Sequence, residues 1–432
     1  MLNSFAKNIN PSMKKNLTKT ILFFLLALLG FSKSDAQQVR DTLSAPKPIL
    51  YNITNNQGKI PGNLWGYAFG DFYYKAHSDS LNRGGSNQYT NIGQTRNAFQ
   101  FRRIYLGYNL DITSKYQVEL LLASEDNLTT SATPSAPSTT SGDLLTNNKV
   151  SFYIKLLNLR IKNVWRGTDL VLGQQVSPAF PLLAEKIWGY RSSERTVADI
   201  RRTPSFDLGI GLQGFFDPET KNFGYNLLAA NGTSAKPSNT IFKWFYGDIF
   251  AKFLDKKLII DLYVDYNKLA PNTATTPYQS RNMIKGYIAY TTPKITFGVE
   301  AFTNKIINGV ITTDAAKVTS YADLNAVAIS AYVHGFIITE KLGFFARYDN
   351  YNPETNFNTS LIYSKPAVSQ YDPNNKEIFF NAGLDYSPVK NIHFMPNVWY
   401  DRYTSQLANV TGLAQQDHDL VYRMTAFFTW GK

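Results

Sequence analysis

From residue 62 onward, apolar and polar positions alternate in short runs along most of the chain. Leu258, Ile260, Leu262 and Val264 fall on one side of an extended backbone, with Asp261, Tyr263 and Asp265 on the other. Leu342, Phe344, Ala346 and Tyr348 oppose Phe345, Arg347 and Asp349 in the same way, and Leu420, Tyr422, Met424, Ala426 and Phe428 oppose Arg423 and Thr425. The period-two pattern predicts about sixteen strands. They lie near 62–75, 98–112, 115–125, 150–161, 168–175, 205–216, 222–231, 241–254, 257–267, 281–291, 294–304, 324–338, 341–350, 377–387, 391–402 and 420–431. Two are irregular. In 150–161 the apolar face changes side between Leu156 and Leu157, which marks a bulge or a misplaced boundary. In 62–75, Trp65, Tyr67 and Phe69 share a face with Asp71.

Alternation alone does not separate a soluble sandwich from a membrane barrel, since both have period two. Connection length does. Tight links such as Asp217-Pro218-Glu219-Thr220, Asp255-Lys256 and Thr339-Glu340 take turns with long ones such as Lys305 to Asp323 and Tyr351 to Lys376. A short–long rhythm is the signature of an outer-membrane barrel, with periplasmic turns at one end and external loops at the other. It places both ends of the barrel segment on the periplasmic side and predicts that the Ser/Thr-rich stretch Asn127 to Asn148 is an exposed external loop.

One stretch departs from the alternation. In Val176 to Pro204, Ser193 reads as a helix N-cap, Glu194 sits in the first turn, and Arg201, Arg202 and Pro204 close the segment. Arg195, Asp199 and Arg202 would share one helix face, with Val197 and Ile200 opposite. The segment by itself fits either a loop folded inward across a barrel lumen or an outer loop carrying one amphipathic turn. The surrounding strands favour the inward loop, the third external connection. Lys186, Arg191, Arg195, Asp199, Arg201 and Arg202 then become the candidate pore constriction.

Composition adds an export route. Lys14, Lys15 and Lys19 precede the apolar run Ile21 to Phe31, and Ser34-Asp35-Ala36 offers a small-residue cleavage site, which together read as a signal peptide over 1–36. Residues 37–61 read as a polar periplasmic leader and 62–432 as the barrel. The formal charge of +12 falls to +8 once the five lysines and one aspartate of the signal are removed. What remains is a mild bias toward anionic partners, without the basic clusters of a nucleic-acid binder.

Reactive chemistry is sparse. The chain has no cysteine, and its four histidines, His77, His334, His393 and His418, are isolated in sequence. We therefore expect no cofactor, no metal and no enzymatic activity. A polar lining is expected instead, with inward positions at Arg103, Glu119, Lys155, Asp207, Asp261, Asp265, Glu300, Arg347, Asp349, Asp385, Asp401 and Arg423. Unpaired charges need water, and a sixteen-stranded barrel is wide enough to hold it. Tyr73, Tyr74, Tyr266, Tyr290, Tyr400, Tyr403 and Trp430 are candidates for aromatic girdles facing lipid.

The block LGQQVSPAFPLLAEKIWGYRSSERTVADIRRTPSFDLGIGLQGFF (172–216), followed by YNLLAANG (225–232), resembles the phosphate-selective porin O and P family. FRRIYLGYNLDITSKYQVELLLA (101–123), FFARYDNYNPE (344–354) and FFNAGLDYSPVKNIHFMPNVWYDRY (379–403) are similar to other parts of it. The resemblance implies a sixteen-stranded outer-membrane channel, a homotrimer, with an inward third loop and a preference for small anionic solutes. This chain departs from the family in its lining, which is at least as acidic as basic and shows no matching arginine ladder. The expectation is thus a passive porin for small hydrophilic solutes, without phosphate specificity. A sealed structural or adhesive barrel is the alternative.

Overall fold

The computed structural model describes residues 62–84, 88–90, 92–125, 151–201, 204–233, 235, 237–238, 241–269, 277–364 and 372–431, with the backbone of 54–55 and 58–59. The expected signal peptide, most of the leader, and the Ser/Thr-rich stretch lie outside these residues. The wall strands are β1 (Gly62–His77), β2 (Asn97–Asp111), β3 (Tyr116–Glu125), β4 (Tyr153–Trp165), β5 (Thr168–Val176), β6 (Phe206–Phe215), β7 (Phe223–Ala230) and β8 (Trp244–Phe253). They continue as β9 (Leu258–Leu269), β10 (Gln279–Thr291), β11 (Ile295–Thr313), β12 (Thr319–Ile338), β13 (Leu342–Asn352), β14 (Asn375–Val389), β15 (Ile392–Ser405) and β16 (Gln416–Trp430). Each pairs antiparallel with its neighbours in sequence, and β16 pairs with β1 to close the ring. Closure leaves the wall with no open edge.

The barrel is inside out. On β9, Asp261 is 1% exposed while its neighbour Leu262 is 56% exposed, and on β10 Lys285 is 1% exposed beside Ile284 at 62%. Ile249, Val264, Ile288, Phe297 and Ile329 continue the outer apolar surface. Water would not tolerate such a continuous apolar band, and a hydrocarbon surround requires it. No described helix is long and apolar enough to cross a membrane; the outward apolar surface is carried by the strands.

The irregular strands are explained by bulges. The β3–β4 register slips between Leu121 and Leu122, so Lys155 and Leu156 both turn inward. This brings odd position 155 and even positions 158, 160 and 162 to the same lumen. A second slip between β1 and β2, at Phe69 and Gly70, turns both Arg102 and Arg103 inward. The shared face of Trp65, Tyr67, Phe69 and Asp71 is the lumenal one, where the rings cluster around Tyr105 and Phe427.

Two expectations need correction. Residues 305–323 are not a long loop. They extend the β11–β12 hairpin to a tight turn closed by Asp314 and Val318, where the Asp314 amide donates to the Val318 carbonyl at 3.1 Å. Val310 and Leu324 are buried there with Tyr363, whose short strand Ile362–Tyr363 joins Thr312 and Thr313. Asn308-Gly309 sits at a bulge, with Asn308 at φ +52°. Among the expected girdle residues, Tyr74, Tyr266 and Tyr290 face outward, but Tyr73 and Tyr403 are buried on the lumenal face beside Lys75 and Asp401.

Candidate functional site

The described residues between β5 and β6 (177–201 and 204–205) form a loop whose feet are laddered together, the Ser177 amide donating to the Ser205 carbonyl at 3.0 Å. Between the feet the chain turns into the barrel. Ala179, Phe180 and Ala184 are buried, and a short helix α1 (Ala184–Trp188) ends at Gly189, whose φ of +69° suits glycine. Trp188 packs on Tyr332 of β12 at a ring distance of 4.9 Å and donates its Nε1–H to the Glu194 carbonyl at 2.8 Å. Tyr190 stacks on Phe345 of β13 at 4.5 Å and donates to Asp385 of β14 at 3.2 Å.

The turn at Ser192–Glu194 is gripped from several strands. Arg423 of β16 donates to the Ser193 carbonyl at 2.9 Å, and Arg102 of β2 donates to the carbonyls of Ser192 and Ser193. The Ser193 hydroxyl donates to Asn381 of β14 at 2.6 Å, and Trp399 of β15 donates to the Glu194 carboxylate at 2.8 Å. Burial alone would raise the Glu194 pKa. Arg195, Arg423 and Arg102 outweigh it and hold the carboxyl at about 2.

Ser193 is therefore not the N-cap of the second helix. Its hydroxyl and carbonyl serve the wall, and Thr196 caps the single turn α2 (Val197–Ile200) by accepting from the Asp199 amide at 3.4 Å. Of the candidate constriction residues, Arg191 pairs with Asp199 at 2.8 Å and with Glu185, and Arg201 pairs with Glu377 of β14 at 2.7 Å and lies over Tyr351. Arg195 is half-buried, and its carbonyl accepts from Arg347 of β13. Lys186 is exposed on α1, within electrostatic reach of Glu119 and Arg160. Arg202 lies outside the described residues.

The expected lining residues face inward, but most are engaged. Arg103 reaches Glu125 at 3.2 Å, and Lys155 also pairs with that carboxylate. Lys285 lies 3.4 Å from Asp261, Arg347 pairs with Asp349, and Asp207 accepts from Tyr246 at 2.8 Å. Asp265 accepts from Tyr263 at 2.8 Å, Asp401 from Tyr403 at 3.0 Å, and Asp385 lies 2.9 Å from His393. Glu119 accepts from Asn158 at 3.0 Å, and Glu300 is buried on β11. Arg102, Lys75 and Lys285 belong to the same inner surface and were not anticipated. Strict alternation along β10 would have found Lys285, and the bulge hid Arg102.

A cavity of about 610 Å³ lies between Leu182 and Leu183 of the loop and the inner faces of β4 to β8, reaching the short turns at Gly167 and Pro218. Its walls carry Arg160, Lys162, Lys221 and Lys252 against one acid, Asp169. Arg160 pairs with Asp169 at 3.1 Å and Lys162 with Asp111 at 2.6 Å. Lys221 and Lys252 both lie 5.8 Å from the centre of the Phe215 ring. The void is thus basic, while most acids of the lining are paired or hydrogen-bonded elsewhere.

No protein-family model and no curated protein sequence matches the chain. Solved structures match its fold. The outer membrane channel DcaP of Acinetobacter baumannii superposes with a TM-score of 0.53 at 11% identity, over 85% of this chain and 97% of that one. An anion-selective porin from Comamonas acidovorans gives 0.53 at 11% identity, over 86% and 100%. In-vitro folded OmpT of Vibrio cholerae, in a trimer form, gives 0.51 at 10% identity, over 86% and 99%. The chain has the closed sixteen-stranded barrel fold of outer-membrane porins.

Proposed function

We propose that this protein is an outer-membrane porin of a Gram-negative cell. It passes small hydrophilic solutes passively, favours anions and performs no chemistry on them. The basic cavity at the short-turn mouth carries this reading, because Arg160, Lys162, Lys221 and Lys252, set against Asp169 and Asp111, bias the contents of a void of about 610 Å³ toward anions. The likeness to an anion-selective porin fits, and so does the resemblance of the third-loop block to the phosphate-selective porins. Phosphate specificity is not proposed, since the arginines nearest the loop are bound to backbone carbonyls or carboxylates. The reading includes an exported precursor cleaved after residue 36 and a homotrimeric assembly, supported by the trimer form of OmpT.

A sealed barrel is the second reading, favoured by the packing of Phe180 and Trp188 among lumenal aromatics of β8 to β13. Planar-bilayer recording of the purified protein distinguishes the two. A porin gives discrete conductance steps and a reversal potential on the anion side under a salt gradient. Insertion without conductance supports the sealed barrel.

A further inference from the structure

His77, distant in sequence, meets the adjacent pair Asp417-His418 at the long-loop rim of the barrel seam. His77 ends β1, Asp417 and His418 begin β16, and one donor atom from each lies within 4.8 Å of the others. His77 Nε2 is 3.6 Å from Asp417 Oδ1, and His418 Nδ1 is 3.8 Å from the same oxygen. We propose that His77, Asp417 and His418 form a binding site for a divalent transition-metal ion, Zn²⁺ in the first instance, which clips the first strand of the barrel to the last.

The hydrogen bonding around the cluster carries the argument. His77 Nδ1 lies 2.7 Å from the His418 carbonyl, which can only accept, so Nδ1 bears the proton. In the neutral ring, Nε2 then presents a lone pair to the Asp417 carboxylate. Such a pair is bridged by a cation, either a proton on Nε2 or a metal ion, and His418 supplies a third donor for the latter. A backbone carbonyl holding the far nitrogen is also the usual support for a metal-bound imidazole. Asp417 is oriented in turn, accepting from the amides of Ser80 at 2.9 Å and of His418 at 2.8 Å.

The local field has the right sign. Asp79, Asp417 and Asp419 gather against Lys75 and Arg83, one negative charge in excess when both imidazoles are neutral. Zinc bonds of about 2.0–2.2 Å to nitrogen and oxygen require donors roughly 3.3 Å apart in a tetrahedron, against 3.6 and 3.8 Å from the two imidazoles to the Asp417 oxygen and up to 4.8 Å within the set. The two rings are stacked, 4.0 Å apart and 8° from parallel. Coordination therefore needs the His418 ring to swing out of the stack about χ2, a soft torsion in a half-buried side chain. His77, tied at Nδ1, stays in place, and water fills the fourth position.

The test uses the full-length barrel in detergent, stripped with chelator and titrated with Zn²⁺ by calorimetry and with Co²⁺ by visible absorption. The expected result is one ion per chain. His77→Gln and His418→Gln should each weaken binding by more than the ~100-fold upper range seen for second-shell changes. Zn²⁺ should raise the temperature at which the folded barrel converts to the unfolded species on a detergent gel, in the wild type and in neither variant. If a variant does not fold, protection of wild-type histidines from diethylpyrocarbonate by Zn²⁺ is measured instead, and protection of two of the four supports the site. Absence of stoichiometric binding to the wild type, unchanged binding in both variants, or no protection overturns it.

Discussion

Reversing the charge of Lys221 and Lys252 tests whether the basic cavity sets ion selectivity. Neither ammonium takes part in a described ion pair, and both rest near the Phe215 ring, so Lys221→Glu with Lys252→Glu changes the cavity by four units without stranding a carboxylate. Treated as a sphere, a void of about 610 Å³ has a radius of roughly 5 Å, so a passing ion stays within the ~10 Å screening length of 0.1 M salt. At roughly 7 Å in water each unit charge is worth about 0.6 kcal/mol, about half of it surviving screening. Four units then disfavour an anion by roughly 1 kcal/mol and favour a cation equally. The combined ~2 kcal/mol corresponds to roughly a thirtyfold change in anion-to-cation permeability. The assay is the reversal potential under a tenfold salt gradient in a planar bilayer. Lys294→Glu, between β10 and β11 and outside the cavity lining, is the control and should shift it much less. A double variant that conducts with an unchanged reversal potential refutes the cavity as the selective element.

Four further outcomes are expected. The Glu194 carboxyl, held at about 2 against an ordinary 4.5, stabilises the loop above pH 4.5 by roughly 3 kcal/mol; this is lost as pH falls toward 2, so channel noise should rise over that window in the wild type and be pH-insensitive in Glu194→Gln. Arg423→Met removes donors to Ser193 and Asn397 and should lower unfolding free energy in urea by about 3 kcal/mol while making single-channel currents noisier. At Gly209 an added Cβ would lie 2.1 Å from the Ala229 carbonyl oxygen, so Gly209→Ala should cost roughly 1–3 kcal/mol in the same unfolding assay. Epitope tags near Ser138 or Asn356 should be reached by antibody on intact cells and tags at Glu219 or Lys256 should not; the reverse labelling pattern would invert the orientation.

The wall was legible because each strand separates two solvents. Leu262 faces hydrocarbon and Asp261 faces the interior, and the contrast repeats every second residue on β9 without needing any partner to be known. The loop was less legible because its polar groups are matched to residues far along the chain. The Ser193 hydroxyl looks like a helix cap until Asn381, 188 residues on, takes it, and the same distance problem hides the pairing of His77 with His418. The hairpin at 305–323 was missed for a local reason, since the register break between Ile306 and Val310 interrupts the alternation there.

The bulges have a consequence beyond obscuring the pattern. A regular strand can aim only every second side chain inward, so consecutive basic residues would send one into lipid. The slip between β1 and β2 brings both Arg102 and Arg103 into the lumen, one to hold the Ser192–Ser193 carbonyls and the other to face Glu125. The slip on β4 lets Lys155 share that carboxylate while Arg160 and Lys162, of opposite parity, line the basic cavity. The irregularities that defeat a reading by alternation are therefore the devices that supply positive charge to the loop and to the passage. In a barrel whose outer face must stay apolar, breaking register is the way to place adjacent cations on the same inner surface.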